Sequence, residues 1–209
     1  MEDYTYQFDH RNEKLETYEW DNVWLEHADT AGVPRILFIG ASISCGIRKM
    51  ANQITDGEFF VDGFGTSKAI DNPYFADAIR LFAKQEKTRS AVLFSNGLHG
   101  YHLDDENEYP HHYEKMITFL MEEFKETPLF LVLSTYSKNP EADARTQKRN
   151  ATALHFAKKN GLFVIDLYSI SKEHSEMLTE DGVHFTKEGY ELLAQFVVQK
   201  IKEKIKFSR

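Results

Sequence analysis

Arg35-Ile36-Leu37-Phe38-Ile39-Gly40-Ala41-Ser42-Ile43-Ser44-Cys45-Gly46 opens on an apolar run, stops it at a glycine and delivers a serine two residues later. Such a run suits a strand buried on both faces of a parallel sheet, with the glycine and serine turning the chain at its carboxyl end. Open α/β sheets place their chemistry there. A helix beginning at the turn would bring backbone N–H groups and its positive end close to the Ser42 hydroxyl. A serine also needs a base and something to orient that base, and Asp181-Gly182-Val183-His184 offers both in one short turn. The carboxylate can accept from one imidazole nitrogen while the other takes the serine proton. Taken singly, Ser42 also reads as a turn-capping serine, Asp181 as an ordinary turn residue and His184 as a surface ring.

Working outward, short apolar strands recur at 36–39, 59–61, 91–94, 129–133 and 162–165, separated by stretches long enough for helices. Tyr113, Met116, Ile117, Leu120, Met121 and Phe124 trace one helical face. Ala151, Leu154 and Ala157 predict a narrower buried stripe on the next helix, which ends at Asn160-Gly161. Thr186 is placed to cap the last helix, with Tyr190, Leu193, Val197 and Ile201 on its buried face. Regular alternation of this kind predicts a three-layer α/β/α sandwich around a five-stranded parallel sheet, joined by right-handed crossovers. Residues 1–33, aromatic and acidic, with Trp20 and Trp24 at helical spacing, are expected to be a lead-in packed on a domain of residues 34–209.

With 209 residues the chain suits a single domain with a full core. A formal charge of −8 spread over mixed-sign surfaces gives no electrostatic claim on nucleic acid and argues against anionic membranes. Cys45 is the only cysteine, which excludes an intramolecular disulfide and a cysteine-based zinc site, and its spacing from Ser42 predicts that it faces the core. Met1-Glu2-Asp3-Tyr4-Thr5-Tyr6 lacks the basic start and apolar stretch of a signal peptide, and no later stretch is long enough to span a bilayer. The expectation is a cytoplasmic protein with no membrane insertion.

Two further strand ends carry polar or flexible residues. Ser95-Asn96-Gly97-Leu98-His99-Gly100 puts an amide at the sheet edge. There Asn96 can donate to an oxyanion or simply adopt a left-handed turn before Gly97. Asp62-Gly63-Phe64-Gly65-Thr66-Ser67 reads as a turn after the second strand, where a glycine lets a backbone N–H approach a ligand or merely makes the turn. His99 reads equally as a pocket residue and as a satisfied turn histidine. His99, His102, His111 and His112 lie near Asp104, Asp105 and Glu108, but their spacing fits no specific metal-ligand pattern. Neither a Gly-x-Gly-x-x-Gly nor a Gly-Lys-Ser/Thr loop occurs, and residue 44 is serine where an α/β-hydrolase elbow has glycine.

Taken jointly, these positions resemble the SGNH hydrolases, or GDSL esterases and lipases, over residues 35–201. The resemblance implies a flavodoxin-like sandwich with Ser42 as nucleophile, Asp181 and His184 completing a triad, and no cofactor or metal. It implies an oxyanion hole from the Ser42 N–H, the Gly65 N–H with Gly63 as the alternative, and the Asn96 amide, with His99 lining the acyl or sugar pocket. The expected partner is a small acyl ester, acetylated carbohydrates included. Two positions depart from the family pattern. Ala41 stands where the family has aspartate, and Phe94 where it has a glycine before the asparagine. Since the family's orienting carboxylate comes from the last block, Ala41 is compatible with catalysis. It also motivates the alternative of a weak or inactive binding protein on the same fold. A thioesterase or lysophospholipase is the alternative within enzymes.

Overall fold

The computed structural model describes residues 15–86 and 88–207. The first fourteen residues of the expected lead-in lie outside the described residues. Strands β1 (Asp21–Trp24), β2 (Arg35–Gly40), β3 (Phe60–Thr66), β4 (Ala91–Phe94), β5 (Leu129–Val132) and β6 (Phe163–Ile165) form one sheet in the order β1-β3-β2-β4-β5-β6. The five strands from β2 to β6 are parallel, in the flavodoxin-like order expected for this sandwich. Helices α1 (Ser42–Thr55), α2 (Phe75–Ala83), α3 (Glu108–Glu123), α4 (Pro140–Asn160), α5 (Leu167–Glu173) and α6 (Lys187–Lys204) connect or follow them.

The centre of the sheet is buried on both sides, which is why β4 and β5 are apolar at every position and β2 is apolar from Ile36 to Ile39. Successive strand residues point to opposite faces. Ile36 and Phe38 join Ile43 and Ile47 of α1 and Leu193 and Val197 of α6 in one core. Leu37 and Ile39 join Phe75 of α2, Tyr113 and Leu120 of α3 and Phe156 of α4 in the other. The α6 cap forms as its sequence predicts, with Thr186 Oγ1 accepting from the Gly189 N–H at 3.2 Å. Gly161 ends α4 at φ 65°, the left-handed conformation that glycine adopts without a Cβ penalty.

Three expectations are corrected. The sheet has a sixth strand, because β1 pairs antiparallel with β3. Trp20 and Trp24, read at helical spacing, belong to that extended edge: Trp20 O accepts from Ser67 N, continuing the ladder. Secondly, Asp62, Gly63, Phe64 and Gly65 are not a turn after the second strand but part of β3, which is held between β2 and β1 through Thr66. The third correction is the buried stripe of α4. Leu154 is 46% exposed and Ala151 also faces solvent, whereas Thr146, Arg149, Asn150, Ala153, Phe156 and Ala157 are buried. Met121 is likewise exposed on α3, whose inner face instead runs back to Tyr109.

Candidate active site

Ser42 is the first residue of α1, directly after the extended Ala41 that follows β2. The turn is closed without a side chain at position 41: Ser44 N and Ser44 Oγ both donate to Ala41 O, at 3.0 and 2.6 Å. Gly40 is required by this tight packing, because a Cβ there would lie 2.7 Å from that of Ser44. Facing Ser42 is the loop before α6. The Ser42 Oγ lies 2.8 Å from His184 Nε2, and His184 Nδ1 lies 2.6 Å from Asp181 Oδ2.

Local chemistry explains why residues three apart meet in this way. Asp181 Oδ1 accepts from the Val183 and His184 N–H groups, both at 2.9 Å, forming an aspartate turn that leaves Oδ2 for the imidazole. Gly182 takes φ 71° inside that turn. Its carbonyl accepts from Lys138 N, and Thr179 N donates to His184 O at 2.8 Å. The bonds to its oxygens hold the Asp181 carboxyl well below the usual carboxylate range, the Val183 N–H contributing most, followed by the His184 ring and N–H and the Thr179 hydroxyl. An ionised Asp181 favours the His184 tautomer with its proton on Nδ1, in which Nε2 can accept from Ser42.

The other expected residues come from neighbouring strand ends. Gly65 pairs with Gly40 across β3 and β2 and with Asn22 of β1. A Cβ on Gly65 would lie 2.3 Å from Cys45 Sγ, and one on Gly63 would lie 2.6 Å from Arg48 Cδ, so both glycines admit side chains of α1. Cys45, expected in the core, is half-buried over Gly65 and borders a surface cleft with Trp24 and Arg48. Asn96 is not among the described residues with positive φ, so its left-handed turn reading is set aside. Its Nδ2 donates to Lys68 O at 3.2 Å, which leaves the second amide hydrogen uncommitted to that carbonyl. Ala41, Asn96, His99 and Thr135 line one small cavity behind the Ser42 turn.

His99 packs edge-on against Trp20, with the Glu16 carboxylate 3.8 Å from its ring; burial lowers its basicity, opposed by Glu16 and Glu19. The remaining histidines do not converge. His102 bonds Asp71, and His111 lies against His112. Among the described residues no group of three or more His, Cys, Asp or Glu is arranged to hold a metal ion. Arg149 reaches from α4 into the loop that carries Asn96. A charged residue on a helix normally reads as solvated, so nothing in its own type or spacing signals burial.

No family model matches the sequence, and no curated protein sequence matches it. Solved structures do. A lipase/acylhydrolase from Enterococcus faecalis superposes with a TM-score of 0.67 at 22% identity, covering 85% of this chain and all of that one. The catalytic domain of a Streptococcus pneumoniae peptidoglycan O-acetyltransferase gives 0.64 at 20% identity, covering 82% and 94% of the two chains. A carbohydrate esterase of family 3 from Talaromyces cellulolyticus gives 0.63 at 14%, covering 82% and 97%. This chain therefore has the SGNH hydrolase fold. Among the described residues no helix is long and apolar enough to cross a membrane.

Proposed function

We propose that this protein is a serine esterase that hydrolyses small acyl esters, acetylated carbohydrates among them, through an acyl-enzyme on Ser42. The observation that carries the reading is the unbroken Ser42–His184–Asp181 hydrogen-bonded chain at the carboxyl end of β2. His184 Nε2 takes the Ser42 proton as Oγ bonds to the ester carbonyl carbon. The resulting oxyanion is held by the Ser42 and Gly65 N–H groups and the Asn96 amide, which the strand order β3-β2-β4 brings side by side. Collapse of the intermediate breaks the ester C–O bond, and the alcohol leaves with the proton from His184. Water then attacks the acyl-enzyme by the same route and regenerates Ser42. Structural likeness to an acylhydrolase, a carbohydrate esterase and an O-acetyltransferase supports acyl chemistry on this scaffold.

A fluorophosphonate probe, followed by peptide mapping, tests the reading together with a panel of p-nitrophenyl esters and acetylated sugars. Labelling should fall on Ser42. Ser42→Ala should abolish labelling and lower turnover by about 10⁴- to 10⁶-fold without altering the fold. Unlabelled wild-type protein without turnover would leave the binding-protein alternative, and undiminished turnover in Ser42→Ala would place the chemistry elsewhere.

A further inference from the structure

Arg149 is 1% exposed, in the middle of the α4 face that packs on the sheet. Its Nη1 donates to the carbonyls of Gly97, at 3.3 Å, and His99, Nη2 donates to Gly100 O at 2.7 Å, and Nε donates to Asp105 Oδ1 at 2.7 Å. One planar guanidinium thus gathers three carbonyls of the loop that carries Asn96. The guanidinium also lies 4.4 Å from the centre of the Tyr109 ring, and the Tyr109 hydroxyl donates to Asn96 O. Burial raises the Tyr109 phenol far above its ordinary range, so it stays a donor.

The next residue extends the clamp to the neighbouring strand. Asn150 Oδ1 accepts from Ser134 N at 2.8 Å and its Nδ2 donates to Ser134 O at 2.9 Å. Ser134 Oγ in turn lies where a Cβ on Gly97 would sit, 2.4 Å away, so only glycine fits that loop position. Burying a guanidinium in a helix face is costly, and apolar residues commonly fill such a position at no loss of stability. Here the polar face has a specific beneficiary: its bonds converge on the loop that carries the Asn96 amide.

We propose that Tyr109 and Arg149 are positioning residues that hold the Asn96 amide in line with the oxyanion formed at Ser42. This rests on the esterase reading above. Tyr109 acts on the Asn96 carbonyl directly, and Arg149 acts by fixing Tyr109 and the carbonyls of Gly97, His99 and Gly100. A lysine at 149 keeps the charge but lacks the planar fork that serves several acceptors at once.

The experiment measures kcat, KM and thermal unfolding with p-nitrophenyl acetate for Tyr109→Phe, Arg149→Lys, Asn96→Ala and the Tyr109→Phe/Asn96→Ala pair. Loss of an oxyanion donor in Asn96→Ala should lower kcat by about 10²- to 10³-fold. Tyr109→Phe, which removes one oxygen and retains the ring, should lower kcat by roughly tenfold at unchanged KM, and Arg149→Lys by more. In the Asn96→Ala background Tyr109→Phe should have no further effect, because groups that act through one another are not additive. Should Arg149→Lys fail to fold, Tyr109→Phe and its double variant decide the matter. A full Tyr109→Phe penalty in the absence of the Asn96 amide overturns the proposal, as does an unchanged kcat with only a lowered melting temperature. An impaired Asn96→Ala beside an unimpaired Tyr109→Phe overturns this proposal alone. Wild-type kcat in Asn96→Ala, or no turnover in the native protein, overturns it together with the corresponding part of the esterase reading.

Discussion

His184 and Asp181 share a turn, and the bonds around Asp181 favour its ionised form. The Val183 and His184 N–H groups and the imidazole stabilise the Asp181 carboxylate, so it remains charged as acid is added. Protonated His184 has no lone pair for Ser42. Esterase activity should therefore fall with decreasing pH along a single-proton limb, with no steepening from Asp181 down to about pH 4. A log–log plot of kcat/KM against pH with a slope approaching two would show that Asp181 titrates in the same range, against the geometry. Asp181→Asn should cost on the order of 10⁴-fold in kcat, as the equivalent change does in a serine-protease triad, because an amide no longer fixes the tautomer. These residues are legible in the sequence because their relation is local: a carboxylate and an imidazole three apart in a glycine turn, and a serine just past an apolar strand. The contacts of Arg149 are not legible, since besides Asp105 they are made to backbone carbonyls some fifty positions earlier in the chain, and no residue pattern records a carbonyl.

Among the elements, β3 and α1 meet closely, and the contact is made by glycines. Gly65→Ala would push a methyl group to within 2.3 Å of Cys45 Sγ, while its N–H is the expected oxyanion donor. Overpacking of this kind costs about 1–3 kcal/mol, and the shift of β3 away from α1 should also lower kcat. Cys45→Ala in the same protein removes the sulfur and should restore both melting temperature and kcat. If the double variant is no better than Gly65→Ala alone, the contact is not the reason for glycine at this position. The same pair of elements shows where sequence patterning stops. Strands β2, β4 and β5 stand out because burial on two faces leaves continuous apolar runs. Strand β1, Asp21-Asn22-Val23-Trp24, is an exposed edge held by backbone pairing to β3 and by polar side-chain bonds from Asp21 to Thr66 and Lys68, and such a strand needs no apolar period. The stripe on α4 is misplaced for the opposite reason: Arg149 and Asn150 occupy buried positions that hydrophobic spacing assigns to apolar residues.

Across the whole molecule, the two ends of the parallel sheet carry different polar networks. The carboxyl ends of the strands carry Ser42, Gly65 and the Asn96 loop. At the amino ends, Arg35 at the start of β2 and Arg89 just before β4 both donate to Asp62 of β3, at 2.7 and 2.6 Å. Asp62 is 0% exposed and also accepts from Glu26 N, which ties the chain after β1 to the sheet. Burial raises its carboxyl, opposed by the Glu26 N–H and by both arginines. Asp62→Ala would leave two buried guanidiniums without their shared carboxylate, a change that typically costs about 3–5 kcal/mol. For a chain of this size that corresponds to a fall of roughly 6–20 °C in melting temperature. Asp62→Asn, which keeps the shape and one acceptor oxygen, should lose less. Because the network sits at the end of the strands away from Ser42, kcat measured well below the melting temperature should match wild type in both variants. A large loss of kcat in protein shown to be folded would mean that the amino-end network sets the geometry of the reaction end, and that the sheet does not insulate one from the other.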